Sequence, residues 1–160
     1  MRVVTGPQDD HFTDKGKESF LSGEYTVSVE SDRMGYRLEG PTIQHSRGAD
    51  IISDGIPLGA VQVPGHGFPI IMLADCQTTG GYAKIATVIS ADIAKIAQLK
   101  PGEKIRFRSV SVNEAVESLR QHEQNIRQVG TKIDTETEEH QTYDVYVDGR
   151  RLRLHIKKAH

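Results

Sequence analysis

The chain has 160 residues, 26% charged and 36% apolar, with 20 basic against 22 acidic side chains and a formal net charge of −2. That balance fits one soluble globular domain and excludes both wholesale disorder and membrane insertion. It also excludes the concentrated basic field on which nucleic-acid binding depends.

Gly and Pro punctuate the first 110 residues every eight to twelve positions or so, and the segments between are rich in Val, Ile, Thr, Tyr and Phe. This spacing predicts short strands at Glu24 to Glu30, Tyr36 to Glu39, Val61 to Val63, Pro69 to Leu73 and Lys104 to Val112. The run Ile70-Ile-Met-Leu-Ala is apolar throughout, as a strand covered on both faces would be. Two helices interrupt the strands. Ser90 is placed to cap the first, over Ala91 to Leu99, which Lys100-Pro-Gly stops. Ser111 and Glu114 form a capping-box pattern for the second, whose apolar residues Val112, Ala115, Val116, Leu119, Ile126 and Val129 recur at helical spacing until Gly130.

Residues 131–142 are acidic and aperiodic, which predicts a linker or loop between a domain over 1–130 and a β-hairpin extension over 143–160. The hairpin signal is two alternating runs around Asp148-Gly149, a pair suited to a tight primed turn. The basic residues Arg150, Arg151, Arg153, Lys157 and Lys158 alternate with apolar ones and read as the wet face of a strand. No segment reaches the ~20 apolar residues of a membrane span, and the opening Met-Arg-Val-Val-Thr-Gly-Pro lacks the apolar stretch of a signal peptide, so a cytoplasmic location is expected. Cys76 is alone and the seven histidines show no metal-ligand spacing, so neither a disulfide nor a metal site is expected.

Three segments carry candidate chemistry. Ala74-Asp-Cys-Gln-Thr-Thr-Gly-Gly-Tyr-Ala-Lys leaves an apolar strand and presents an acid, an amide, two hydroxyls, two glycines and a lysine. Such density of directional groups suits an oriented small-molecule site, although a solvated loop with a Gly-Gly turn has the same composition. In Ser31-Asp-Arg-Met-Gly-Tyr-Arg-Leu-Glu-Gly-Pro, an arginine fork suits a carboxylate, or belongs to an ordinary exposed pair. The third, Ser53 to Gly67, is a string of turns in which His66 reads as a loop histidine.

Together these segments, with Ile51 to Pro64 and the long run Leu73 to Ile89, resemble the biotin-dependent carboxyltransferase or allophanate hydrolase subunit 2 family. That family includes the 5-oxoprolinase C-subunit group, an antagonist of a sporulation-kinase inhibitor, and the carboxyltransferase region of urea carboxylase. The resemblance implies a mainly β, cyclophilin-like barrel closed by short helices, with this chain corresponding to the C-terminal half of a longer protein. It further implies a small urea-like or lactam amide substrate and a partner, either the N-terminal half or a B-subunit-like protein of cyclophilin fold. No biotin is expected to be attached to this chain. Carboxybiotin is expected on a separate carrier, and ATP in a partner protein.

By matching motifs, Asp75, Lys84 and Arg33 are the catalytic candidates. Tyr36, Gln77, Thr78, Thr79, Gly80, Gly81 and Tyr82 are the substrate-binding candidates. The rival expectation is a non-catalytic module that binds a histidine-kinase inhibitor.

Overall fold

The structure is a computed structural model that describes residues 1–137 and 141–156, with side chains described outside 130–142 and 155–156. It divides into two compact units, 1–119 and 120–160. The first half of the chain folds into β1 (Arg2–Thr5), a 3-10 turn (Asp9–His11), α1 (Asp14–Ser22), β2 (Tyr25–Val27), β3 (Gly35–Glu39), β4 (Asp50–Gly55), β5 (Ala60–Gln62) and β6 (Ile70–Met72). There follow β7 (Thr79–Tyr82), β8 (Lys84–Val88), α2 (Ser90–Ile96), β9 (Lys104–Ile105), β10 (Arg108–Ser109), α3 (Val112–Thr137), β11 (Gln141–Val147) and β12 (Arg150–Ile156).

Eight strands form one sheet in the order β10-β1-β8-β5-β6-β3-β2-β9. Its pairings are antiparallel except β1 with β10. β4 and β7 form a separate two-stranded ribbon, with a register shift between Asp50 and Asp54. The mainly β architecture expected from the sequence is what the chain adopts.

The strand expected over Lys104 to Val112 is instead two short strands at opposite rims of the sheet. The break falls at Arg106 and Phe107, where Phe107 turns into the core, stacks on Phe20 at 4.4 Å and meets Tyr25 at 5.7 Å. Around this aromatic group pack Val3, Val27, Leu38, Val61, Ile71, Ile85 and Ile96, all under 5% exposed. The Tyr25 hydroxyl donates to the Ser19 carbonyl at 3.2 Å, and burial pushes its phenol up to about 12. Removal of these faces from water is the main force holding the sheet and α1 together.

Helix ends differ in part from the sequence reading. Ser111 Oγ accepts from the Glu114 amide at 3.1 Å, so the forward half of the capping box forms, while the Glu114 carboxylate turns to Arg108 at 3.7 Å. Ser90 lies inside α2 and caps nothing; Ile89 holds the capping position without a side-chain bond. α3 also passes through Gly130 to Thr137, so the first part of the expected linker is helical. The remainder of that linker includes residues outside those described. α1 was not expected, and Thr13 caps it by accepting from the Gly16 amide at 3.0 Å.

In the second unit, β11 and β12 pair as the hairpin read from Asp148-Gly149, with φ of 49° and 73° at the turn. Tyr143 faces Leu154 and Val145 faces Leu152, whereas Asp144 pairs with Arg151 and Arg153.

One charged contact pins β1 to α2. The Arg2 guanidinium clasps both oxygens of Asp92, at 2.7 and 3.1 Å, the Arg2 amide adds a bond at 2.9 Å, and Lys95 reaches Oδ1 at 2.9 Å. Burial alone pushes the Asp92 carboxyl up, but these donors outweigh it and hold the group well below the usual carboxylate range. The unfolded chain therefore takes up this proton first, so the contribution is complete above the ordinary value of 3.8 and is lost as the pH falls below it. Asp92→Asn is expected to lower the unfolding free energy by about 2 to 4 kcal/mol at neutral pH and to flatten the acid limb of the stability curve. Denaturant titrations between pH 2 and 7 or so check both effects, and an unchanged acid limb would show that Asp92 is not the group responsible.

Candidate functional site

The sequence-predicted residues separate into an exposed group and a buried one. In the exposed group, Arg33 Nε lies 2.9 Å from Asp75 Oδ2 and Nη2 lies 3.3 Å from Oδ1, a fork-to-fork pair. The Asp75 amide also donates to the Arg33 carbonyl at 3.2 Å, so backbone and side chains both tie the loop after β6 to the loop before β3. The two side chains are 85% and 47% exposed, and water screens such a pair strongly. Each group satisfies part of the other's hydrogen-bonding capacity here, and both remain open to solvent.

Gln77, Thr78, Thr79 and Tyr82 are exposed on and beside β7, while Gly80 and Gly81 are half-buried. Tyr36 is half-buried against the main core, and its hydroxyl donates to the Leu99 carbonyl at 3.1 Å. That bond tethers β3 to the chain after α2 and uses the phenol's proton.

Lys84 is in a different setting. It begins β8, the strand between β1 and β5, and its side chain is 1% exposed. Nζ lies 3.1 Å from Asp54 Oδ2, yet it makes no contact of hydrogen-bond geometry, so we read the contact as an ion pair held off-angle. Gln8 spans the two residues: its Oε1 accepts from the Lys84 amide at 3.2 Å and its Nε2 donates to Asp54 Oδ2 at 3.2 Å. The Lys84 ammonium, the Gly55 amide and the Gln8 amide hold the Asp54 carboxyl below its ordinary range.

Beside Lys84 stands Gln62, which is 2% exposed, with an Nε2 that finds no acceptor. The two are register partners across β5 and β8, so their side chains emerge on one face of the sheet. Gly80 pairs with Asp54 in the ribbon, and a Cβ there would stand 2.7 Å from Ile56 Cδ1, 3.1 Å from Gln62 Nε2 and 3.6 Å from Gln77 Nε2. Its φ is not positive, so the position needs glycine for close approach rather than for backbone conformation.

The sequence reading missed Gln8, Asp54 and Gln62. Gln62 in particular was legible as a polar residue inside an otherwise apolar strand, Val61-Gln-Val63, where burial obliges an amide to find partners. A groove of about 840 Å³ lies elsewhere, lined by His45, His66, Lys15 and neighbouring loop residues, and contains none of the predicted site residues. Among the described residues no cluster fit for a metal ion occurs, and no helix is long and apolar enough to cross a membrane.

The family model for the carboxyltransferase domain, subdomains A and B, matches residues 1–109, which hold the whole sheet and both groups of site residues. The chain belongs to the carboxyltransferase domain family. Among its relatives, the C-subunit of 5-oxoprolinase from Haemophilus influenzae is 40% identical over 84% of this chain and 43% of its own length. Its counterpart from Escherichia coli is 34% identical over 85% of this chain and 44% of its own length. This carboxyltransferase domain therefore spans under half the length of those proteins. In structure it is similar to the urea amidolyase of K. lactis, with a TM-score of 0.74 and 28% identity over 79% of this chain and 8% of that one. These relatives are enzymes or parts of enzymes by name, and they lend no support to a kinase-inhibitor-binding module.

The carboxyltransferase domain keeps its Lys84 cation inside, opposite the exposed carboxylate of Asp54. Replacing it with an apolar residue of similar length removes a buried charge and leaves Asp54 in water, so Lys84→Met is expected to be neutral or to stabilise the fold by about 1 kcal/mol. Thermal and urea denaturation check this, and a loss above about 2 kcal/mol would show that the lysine is retained for stability.

Proposed function

We propose that this chain supplies one half of a carboxyl-transfer site acting on the amide nitrogen of a small urea-like or lactam substrate, together with a partner half or a separate partner protein. The observation that carries this reading is the buried donor pair of Gln62 Nε2, which has no acceptor, and Lys84 Nζ, which has only the off-angle ion pair with Asp54, in a domain of the carboxyltransferase family. Donors fixed in a water-poor site stabilise negative charge on oxygen far better than solvent does, and require no reorganisation during the reaction.

Carboxybiotin on a separate carrier would supply the carboxyl group, and the donor set present suits the oxygens of such a group. Lys84 and Gln62 hold those oxygens while the acceptor nitrogen loses its proton. Asp75, close to the exposed Thr78 and Thr79, takes or relays that proton once Arg33 is drawn away from it, and Arg33 then steadies a second anionic oxygen. Gln77, Thr78, Thr79 and Tyr82 orient the amide edges of the substrate. Any ATP-driven step belongs to a partner protein.

The test is steady-state kinetics of the enzyme reassembled from this chain and its partner half, with urea and 5-oxoproline as separate substrates. Lys84→Met is expected to lower kcat/KM by about a hundredfold or more, and Asp75→Asn and Arg33→Ala by roughly tenfold to a hundredfold. Turnover of Lys84→Met within a factor of a few of the parent enzyme would remove the buried donor pair from the chemistry.

A further inference from the structure

Gln62 Nε2 and Lys84 Nζ are donors shut away from water on one face of the sheet, and neither has a hydrogen-bond partner. A buried donor left unsatisfied costs about 1 to 3 kcal/mol; Gln62 Nε2 has nothing to offset that cost, and Lys84 Nζ has only the off-angle ion pair with Asp54. Among the described residues, the one carboxylate within reach of Lys84 arrives from outside. Asp54 is 53% exposed and sits on the β4–β7 ribbon, which is not part of the main sheet. It meets Nζ off-angle, and it accepts from Gln8 and Gly55 but not from Gln62.

We propose that Gln62 and Lys84 form a seat for a small planar anion with two oxygens, a carboxylate or a carboxylated nitrogen, and that Asp54 is an internal occupant of this seat which the incoming anion displaces. An entering carboxylate gives one oxygen to Nζ and the other to Nε2, satisfying both donors where Asp54 satisfies one imperfectly. Displaced, Asp54 loses little, because it already stands largely in water on the ribbon and keeps the Gln8 and Gly55 amides within reach. Gly80 leaves the Gln62 amide the space it occupies beneath the ribbon. The inference rests on the reading of Lys84 as part of the carboxyl-transfer site, but binding at the seat requires no partner half.

The experiment titrates the 160-residue chain with formate, the smallest carboxylate, and with formamide as the uncharged control, and follows the side-chain NH2 resonances of Gln62 by 15N-edited NMR. Formate is expected to shift them saturably and formamide to leave them in place. Asp54→Asn is expected to tighten formate binding at least about threefold, because an occupied seat lowers apparent affinity by the fraction of time it is free. Lys84→Met is expected to abolish the shift.

The proposal is overturned if formate leaves Gln62 unmoved, or if Asp54→Asn binds formate no more tightly than the parent chain. Asp54 is a surface residue, so that variant folds and the comparison stands even if Lys84→Met does not fold. Formate binding as expected, with full turnover by a folded Lys84→Met enzyme, would sink the functional reading and leave the seat. A turnover loss without formate binding would sink the seat alone.

Discussion

A lysine that water cannot reach sets the terms for the rest of this domain. Lys84 sits at the start of β8, a strand flanked by β1 and β5, and its buried charge is balanced by Asp54 of the β4–β7 ribbon, 3.1 Å away. That pairing fixes where Asp54 lies and gives Gln8 its bridging role. Gly80 is bare because a Cβ there would crowd Ile56 Cδ1 and Gln62 Nε2. A hydrophobic residue in place of Lys84 would need no such charge balance.

The long motif after β6 therefore divides into parts governed by different physics. Around Lys84 the surroundings are dry, electrostatic interactions are strong, and donors keep their orientation without further help. Asp75, Gln77, Thr78 and Thr79 stand in water, where an arginine–carboxylate fork is screened and worth little. The exposed part gains directional force only when another body covers it and excludes solvent.

Much of the fold was legible wherever a local rule sufficed. The Asp148-Gly149 turn can be read directly because positive φ at two successive positions restricts the residue types. Ser111 announced α3 for a similar reason. β7 and β8 escaped notice because two glycines and a charged residue break the alternation by which a half-buried strand is recognised. α1 escaped because it buries one large side chain, Phe20, and shows no repeating apolar stripe. Motif matching singled out Lys84 but not the residues around it, since Gln8, Asp54 and Gln62 are separated in the sequence and meet it only through side-chain contacts and strand register in the folded chain. Gly130 was a misleading stop signal, because a helix crosses a lone glycine when its other residues favour continuation.

The two outer strands of the main sheet, β9 and β10, are neighbours in sequence, separated by Arg106 and Phe107 alone. One short stretch thus clasps both ends of a curled ladder, and each rim it presents is two residues long, with Lys104 on one and Arg108 on the other. Such stubs give a foreign strand almost no main-chain groups to zip onto. Anything that docks at these two rims must therefore recognise the relief of their side chains, leaving the backbone ladder intact.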